Sequence, residues 1–143
     1  MSRLDSAIRR LQAQRACLDW AVGEIAGQGG PVLELGLGNG RTFDHLRARL
    51  PEREIFVFER EVAAHPDCIP DDDHLLLGDF HDSLPGALGR IGARAALAHC
   101  DIGSGDRALT ARLAAFVGPA LAPILAPGAV VVADQPLQIP RGR

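Results

Sequence analysis

A carboxylate followed by three alternating glycines, Glu34-Leu35-Gly36-Leu37-Gly38-Asn39-Gly40, is the segment best suited to chemistry in this chain. Glycines in a turn between a strand and a helix let a ligand approach the backbone with no Cβ in its path. The dinucleotide spacing GxGxxG is not met, because Arg41 stands where that pattern needs its third small residue. Glu34 would also repel a pyrophosphate, whereas its charge suits a ligand that carries an ammonium group. A dinucleotide-dependent reductase is disfavoured on both counts.

Further carboxylates fall at regular places downstream. Glu59 closes an apolar run 19 residues after Gly40, where an acid can accept both hydroxyls of a ribose. Asp79 closes the next run and can accept the amino group of an adenine, with Phe80 lining the base. A ligand with an ammonium, a carboxylate for the backbone N–H groups at a helix start, and an adenosine matches this series, and S-adenosyl-L-methionine is such a molecule. The expected cofactor-binding residues are Glu34, Gly36, Leu37, Gly38, Asn39, Gly40, Glu59, Arg60, Asp79, Phe80 and Asp101.

His99 and Asp101 are the one close His and acid pair near that pocket, and they form the candidate catalytic pair. Such a pair can orient a general base, since His titrates near neutral pH, or it can be a polar strand end satisfying its own hydrogen bonds. The five histidines show no HxH or HxxxH spacing, so no metal is expected, and Asp71-Asp72-Asp73 reads as a solvated loop. Cys17, Cys68 and Cys100 are odd in number and far apart, which fits neither a disulfide framework nor a CxxC motif and suits the cytoplasm.

The elements that must position these groups follow from apolar spacing. Leu4, Ile8, Leu11, Leu18, Val22 and Ile25 lie three, four or seven apart and predict a helix over about Asp5 to Ala26, ended by Gln28-Gly29-Gly30-Pro31. Short apolar runs predict strands at residues 31–35, 54–58, 74–77, 95–98 and 129–133, each reaching a carboxylate or passing one within a few residues. Helical segments separate them: Thr42 to Leu50, a weak one around Ser83 to Ile91, and one from about Asp106 to Leu125 that Pro119 and Pro123 should kink or break. Strands apolar on both faces and alternating with helices predict a parallel sheet covered on each side.

The chain has 143 residues, the size of one domain, so residues 1–28 read as an N-terminal helix, 30–134 as the core and 135–143 as a tail of a single unit. All 15 basic residues are Arg, yet they are scattered among acids and the net charge is -3. No positive field attracts a nucleic acid, and no apolar run is long enough to span a membrane. Trp20 reads as a core or subunit-interface anchor. A sheet that stops at a fifth strand leaves an apolar edge to cover, which predicts a homo-oligomer.

From Gly30 to Asp134 the chain resembles the class I S-adenosyl-L-methionine-dependent methyltransferases, and most closely a group of short bacterial members. VLELGLGNG is similar to their first motif, VFE to the acidic second, LLLGDF to the third and AHCDIG to the fourth. The resemblance implies an α/β, Rossmann-like, open and mostly parallel sheet with helices on both faces and strand order about 3-2-1-4-5. It assigns Glu34, Gly36, Gly38 and Gly40 to the methionine side, Glu59 to the ribose and Asp79 to the adenine. Two departures stand out. Gln135 to Ile139 and Pro140 contain two prolines and cannot supply both strands of the family's C-terminal hairpin, which is expected absent or reduced. Asp101-Ile102-Gly103-Ser104 replaces the Asn-Pro-Pro-Tyr or Asp-Pro-Pro-Tyr run of amino-methylating nucleic-acid enzymes, which favours a small-molecule acceptor. A non-catalytic S-adenosylmethionine-binding or assembly module is the alternative.

Overall fold

Strands that are apolar on both sides need a helical cover on each face, and that requirement sets the architecture. The computed structural model describes residues 1–140. Strands β1 (Val32–Leu35), β2 (Ile55–Glu59), β3 (Leu75–Leu77), β4 (Ala95–Cys100) and β5 (Leu125–Ala133) form one sheet in the order β3-β2-β1-β4-β5. Every adjacent pair is parallel. The expected Rossmann-like α/β sheet is the one observed, and among the described residues no strand follows β5.

Helices α1 (Arg3–Glu24) and α2 (Arg41–Arg49) cover one face, where Leu18, Val22, Phe43 and Leu46 pack on Val32, Val57 and Leu97. Helices α3 (Phe80–Ser83), α4 (Ala87–Ile91) and α5 (Arg107–Leu121) cover the other, where Leu84, Ile91, Val117 and Leu121 pack on Leu33, Phe58 and Ala98. Strand residues alternate between these two cores except in β4, where Ala96 and Leu97 both join the α1–α2 side at the register shift against β5. No helix among the described residues is long and apolar enough to cross a membrane.

Several boundaries differ from expectation for local reasons. Helix α1 starts earlier because Ser2 and Asp5 form a reciprocal capping box, with Ser2 Oγ accepting from Asp5 N at 3.0 Å. The weak central helix splits at Pro85-Gly86 into α3 and α4. Pro119 does not break α5, which runs on to Leu121 before a 3-10 turn over Ala122–Ile124. Strand β5 begins at Leu125, its start hidden by Pro127 and Gly128, which lie where the register against β4 shifts between Ala95 and Leu97.

Only the C-terminal half of the α1 stripe is buried. Leu18, Val22 and Ile25 are in the core, whereas Leu4, Ile8 and Leu11 are exposed, and Trp20 at 58 % exposure is no core anchor. After β5 the chain turns back as a strap. Leu137 and Ile139 pack against the core beside α5, and Gly118 makes room for it, since a Cβ there would stand 2.4 Å from Gln138 O.

Candidate active site

Parallel register brings two distant polar residues together. Glu34 in β1 is the lateral partner of His99 in β4, and both point to the face covered by α1 and α2. Glu34 is fully buried and His99 nearly so, and His99 Nδ1 is hydrogen-bonded to Glu34 Oε1. The bonded partner of His99 is therefore Glu34, where the sequence pointed to Asp101. Burial pushes the Glu34 carboxyl up, against the opposing pull of His99. For His99 burial acts downward, but the Glu34 carboxylate outweighs it, and Asp101 and Asp134 add to the rise. Both groups are thus shifted toward their protonated forms. Thr42 at the start of α2 eases the Glu34 charge, yet Glu34 Oε2 has no hydrogen-bond partner among the described residues.

The three glycines of the loop are not equivalent. Gly36 adopts φ +90° with the Asp101 carbonyl oxygen 2.4 Å from where its Cβ would be, so it lets β1 pass the end of β4. Gly40 adopts φ +85° as the N-cap of α2, where a Cβ would collide with Cys68 Cβ at 2.5 Å. Gly38 also has positive φ, +53°, but nothing lies within 4 Å of its Cβ position. Gly36 and Gly40 serve packing, and Gly38 alone presents backbone to open space. Leu37 is buried beneath the loop, while exposed Asn39 accepts from Arg41 N at 3.1 Å and sets the turn into α2.

Glu59, the last residue of β2, is tied to that loop. Its Oε2 accepts from Leu37 N at 2.6 Å and Gly38 N at 3.3 Å, and its Oε1 from Arg60 N at 2.8 Å and Glu61 N at 3.5 Å. Arg60 is exposed, with its charge felt at Asp79. Asp79 caps α3, accepting from His81 N at 2.9 Å and sharing a 2.7 Å hydrogen bond with His81 Nδ1. Those two contacts hold its carboxyl below the usual range. The His81 ring stacks on Phe116 of α5 at 4.0 Å, while Phe80 packs half-buried on the core.

Past the end of β4, Asp101 stands at an exposed rim, where partial desolvation and then the Asp134 carboxylate push its carboxyl up. Asp134 follows β5 and accepts from Ile102 N at 3.1 Å and Gly103 N at 2.8 Å, tying the two strand ends. Cys100 is buried and its thiol is pushed up to about 12, by burial first, so it is no nucleophile at neutral pH. Asp134 and His81 had no role assigned from sequence. Asp134 carried a signal as the carboxylate ending the fifth run, whereas His81 became visible only through its stacking on α5. Among the described residues no group of three or more His, Cys, Asp or Glu could hold a metal ion.

The comparisons with known proteins agree with this geometry. Residues 1–141 match the profile of the S-adenosyl-L-methionine methyltransferase family. The crystal structure of an S-adenosyl-L-methionine methyltransferase from Silicibacter pomeroyi superposes with a TM-score of 0.88 at 47% identity, covering 98% of this chain and 86% of that one. A protein from Thermoplasma acidophilum, at 17% identity and a TM-score of 0.44 over 72% of this chain and 42% of its own, is too distant to carry an argument. No curated protein matches the chain. A sheet whose glycine loop and carboxylates gather at one edge, matched along nearly its whole length, places this chain in the S-adenosyl-L-methionine methyltransferase family, with S-adenosyl-L-methionine as its methyl donor.

Proposed function

We propose that this methyltransferase acts on a small-molecule acceptor held at the carboxyl ends of β1 and β4, and that residues 1–143 work as one donor-binding unit. The observation that carries the reading is the row of acids at that edge: Glu59, Asp79, Asp101 and Asp134 all end or follow strands there. A polyphosphate backbone would meet repulsion along this rim, whereas a small molecule whose reacting end is neutral or cationic would not.

The residues present fit the donor. Open space at Gly38 admits a ligand against the loop backbone, and the unpartnered Glu34 Oε2 is an acceptor that an ammonium, direct or through water, would satisfy. Gly36, Leu37, Asn39 and Gly40 shape that loop, Glu59 accepts the ribose hydroxyls beside Arg60, and Asp79 with Phe80 takes the adenine. The bound donor supplies a methyl group already activated on a sulfonium, so positioning in a dry site can carry the rate without a strong base. Asp101 faces the acceptor, and His99 steadies that rim from beneath through its pair with Glu34.

The test is S-adenosylhomocysteine release from the purified protein given a filtered metabolite pool, against nucleic-acid and protein fractions. Turnover confined to a macromolecular fraction would overturn the reading. The three free cysteines support a cytoplasmic setting. Strand β5 has one neighbour and an unpaired outer edge among the described residues, which supports a homo-oligomer built on that edge or on the exposed α1 stripe with Trp20. Light scattering that returned the 15.2 kDa monomer at micromolar concentration would refute it.

A further inference from the structure

One cleft at the carboxyl edge has no part in the roles assigned so far. It encloses about 620 Å³ between the first turns of α5 and the strap after β5, a volume suited to a metabolite. Ala111, Ala114 and Ala115 keep its floor wide. Its polar groups are Ser104, Arg107, Thr110, Gln135 and Gln138. Ser104 Oγ and Thr110 Oγ1 are hydrogen-bonded at 2.9 Å, and Ser104 N donates to Thr110 Oγ1 at 3.1 Å, so this rim is fixed.

Arg107 is the one charged residue lining the cleft, and it has no hydrogen bond or ion pair among the described residues. Its neighbour Asp106 is occupied as the cap of α5, accepting from Leu109 N at 3.0 Å. The lining of the cleft begins close to the acceptor rim along the chain. Ser104 stands three residues after Asp101 and Gln135 directly follows Asp134, whose carboxylate holds Gly103 N at 2.8 Å. A guanidinium presents a planar fork that matches a carboxylate, and hydroxyl and amide donors beside it supply further hydrogen bonds. A phosphate fits less well, because the cleft offers a single cation and a doubly charged group would be repelled more strongly by the acids of the neighbouring rim, Asp101 and Asp134.

We propose that this cleft holds the methyl acceptor and that the acceptor carries a carboxylate, which pairs with Arg107 while the reacting end reaches the Asp101 rim. This rests on the small-molecule reading above. The experiment uses the full chain saturated with S-adenosylhomocysteine and titrated with amino acids and simple carboxylic acids, each beside its carboxamide. Amide shifts of Thr110, Ala111 and Ala114 are followed by NMR, and S-adenosylhomocysteine affinity by calorimetry. At least one acid should move these amides where its carboxamide does not. Arg107→Gln should weaken that acid about tenfold or more, Arg107→Lys less, and neither should change S-adenosylhomocysteine affinity. Normal S-adenosylhomocysteine binding with no response of the cleft to any acid, or an equal response to acid and carboxamide, would overturn the proposal alone. Methyl transfer found only on a macromolecule would overturn it together with the small-molecule reading.

Discussion

If Gly38 is the ligand-facing glycine and Gly40 a packing one, the same alanine substitution should separate binding from stability. In Gly38→Ala the new methyl meets no atom within 4 Å, so the cost to the free protein is the left-handed backbone alone, about 1 to 2 kcal/mol. That lowers Tm by roughly 3 to 8 °C in a domain of this size. In Gly40→Ala the backbone cost recurs, and the methyl is also driven to 2.5 Å from Cys68 Cβ and 2.7 Å from Cys68 O. Overpacking adds about 1 to 3 kcal/mol, for a total of about 2 to 5 kcal/mol. Differential scanning calorimetry measures these losses and titration calorimetry with S-adenosylhomocysteine measures affinity. Gly38→Ala should fold well but bind about tenfold more weakly or worse, near 1.4 kcal/mol at least, because its methyl occupies the ligand's approach. A Gly38→Ala protein with wild-type affinity, or a Gly40→Ala protein of wild-type stability, would refute the assignment.

Glu59→Gln should weaken adenosine-side binding by roughly 1 to 3 kcal/mol, and unchanged affinity would remove Glu59 as the ribose ligand. Asp101→Asn should reduce kcat more than S-adenosylhomocysteine affinity, with His99→Ala acting in the same sense but less strongly; steady-state kinetics beside calorimetry decides this, and an affinity loss with intact kcat would contradict it. His74 joins Asp71 to Glu54, whose Oε2 is 2.9 Å from Nε2, and Asp71 first and then Glu54 raise its pKa despite some desolvation. A raised folded value means that the protonated clasp contributes fully below the unfolded pKa and is lost as pH rises through the folded one, so the Tm gap between wild type and His74→Gln should shrink on going alkaline. Gly118→Ala should lift the strap, since its Cβ would stand 2.4 Å from Gln138 O, and hydrogen exchange at residues 137–139 should rise while β1 stays protected.

Much of the sheet was legible because each strand is a short apolar run ending near an acid, and parallel order follows once helices alternate with strands. What escaped was set by contacts between segments. Pro127 and Gly128 disguised the start of β5, because a bulge tolerates residues that a regular ladder rejects. Which of Pro119 and Pro123 ends α5 could not be read: the helix passes Pro119 and closes at Leu121, giving way to a 3-10 turn that contains Pro123. The α1 stripe reads as one amphipathic face, yet half of it has nothing to pack on, and periodicity cannot say where the partner surface stops.

The site shows the same division. The glycine spacing announced a ligand loop, but which glycine faces open space depends on Asp101 and Cys68, residues far along the chain. Glu34 and His99 are 65 residues apart, and only the β1–β4 register makes them a pair. Glu59 could be placed at a strand end from the sequence, but not its double duty. A carboxylate has about four lone-pair sites, and four backbone N–H groups already address this one, two at 2.6 and 2.8 Å and two at 3.3 and 3.5 Å. Of the short pair, the bond from Leu37 fixes the glycine loop against β2, and the one from Arg60 orients the carboxylate at the strand end. The long pair, from Gly38 and Glu61, contributes little and both residues are exposed, so water can take over their N–H groups when ribose hydroxyls replace them. One side chain can therefore hold the loop in place before the donor arrives and exchange its two weakest bonds for the donor without releasing the loop.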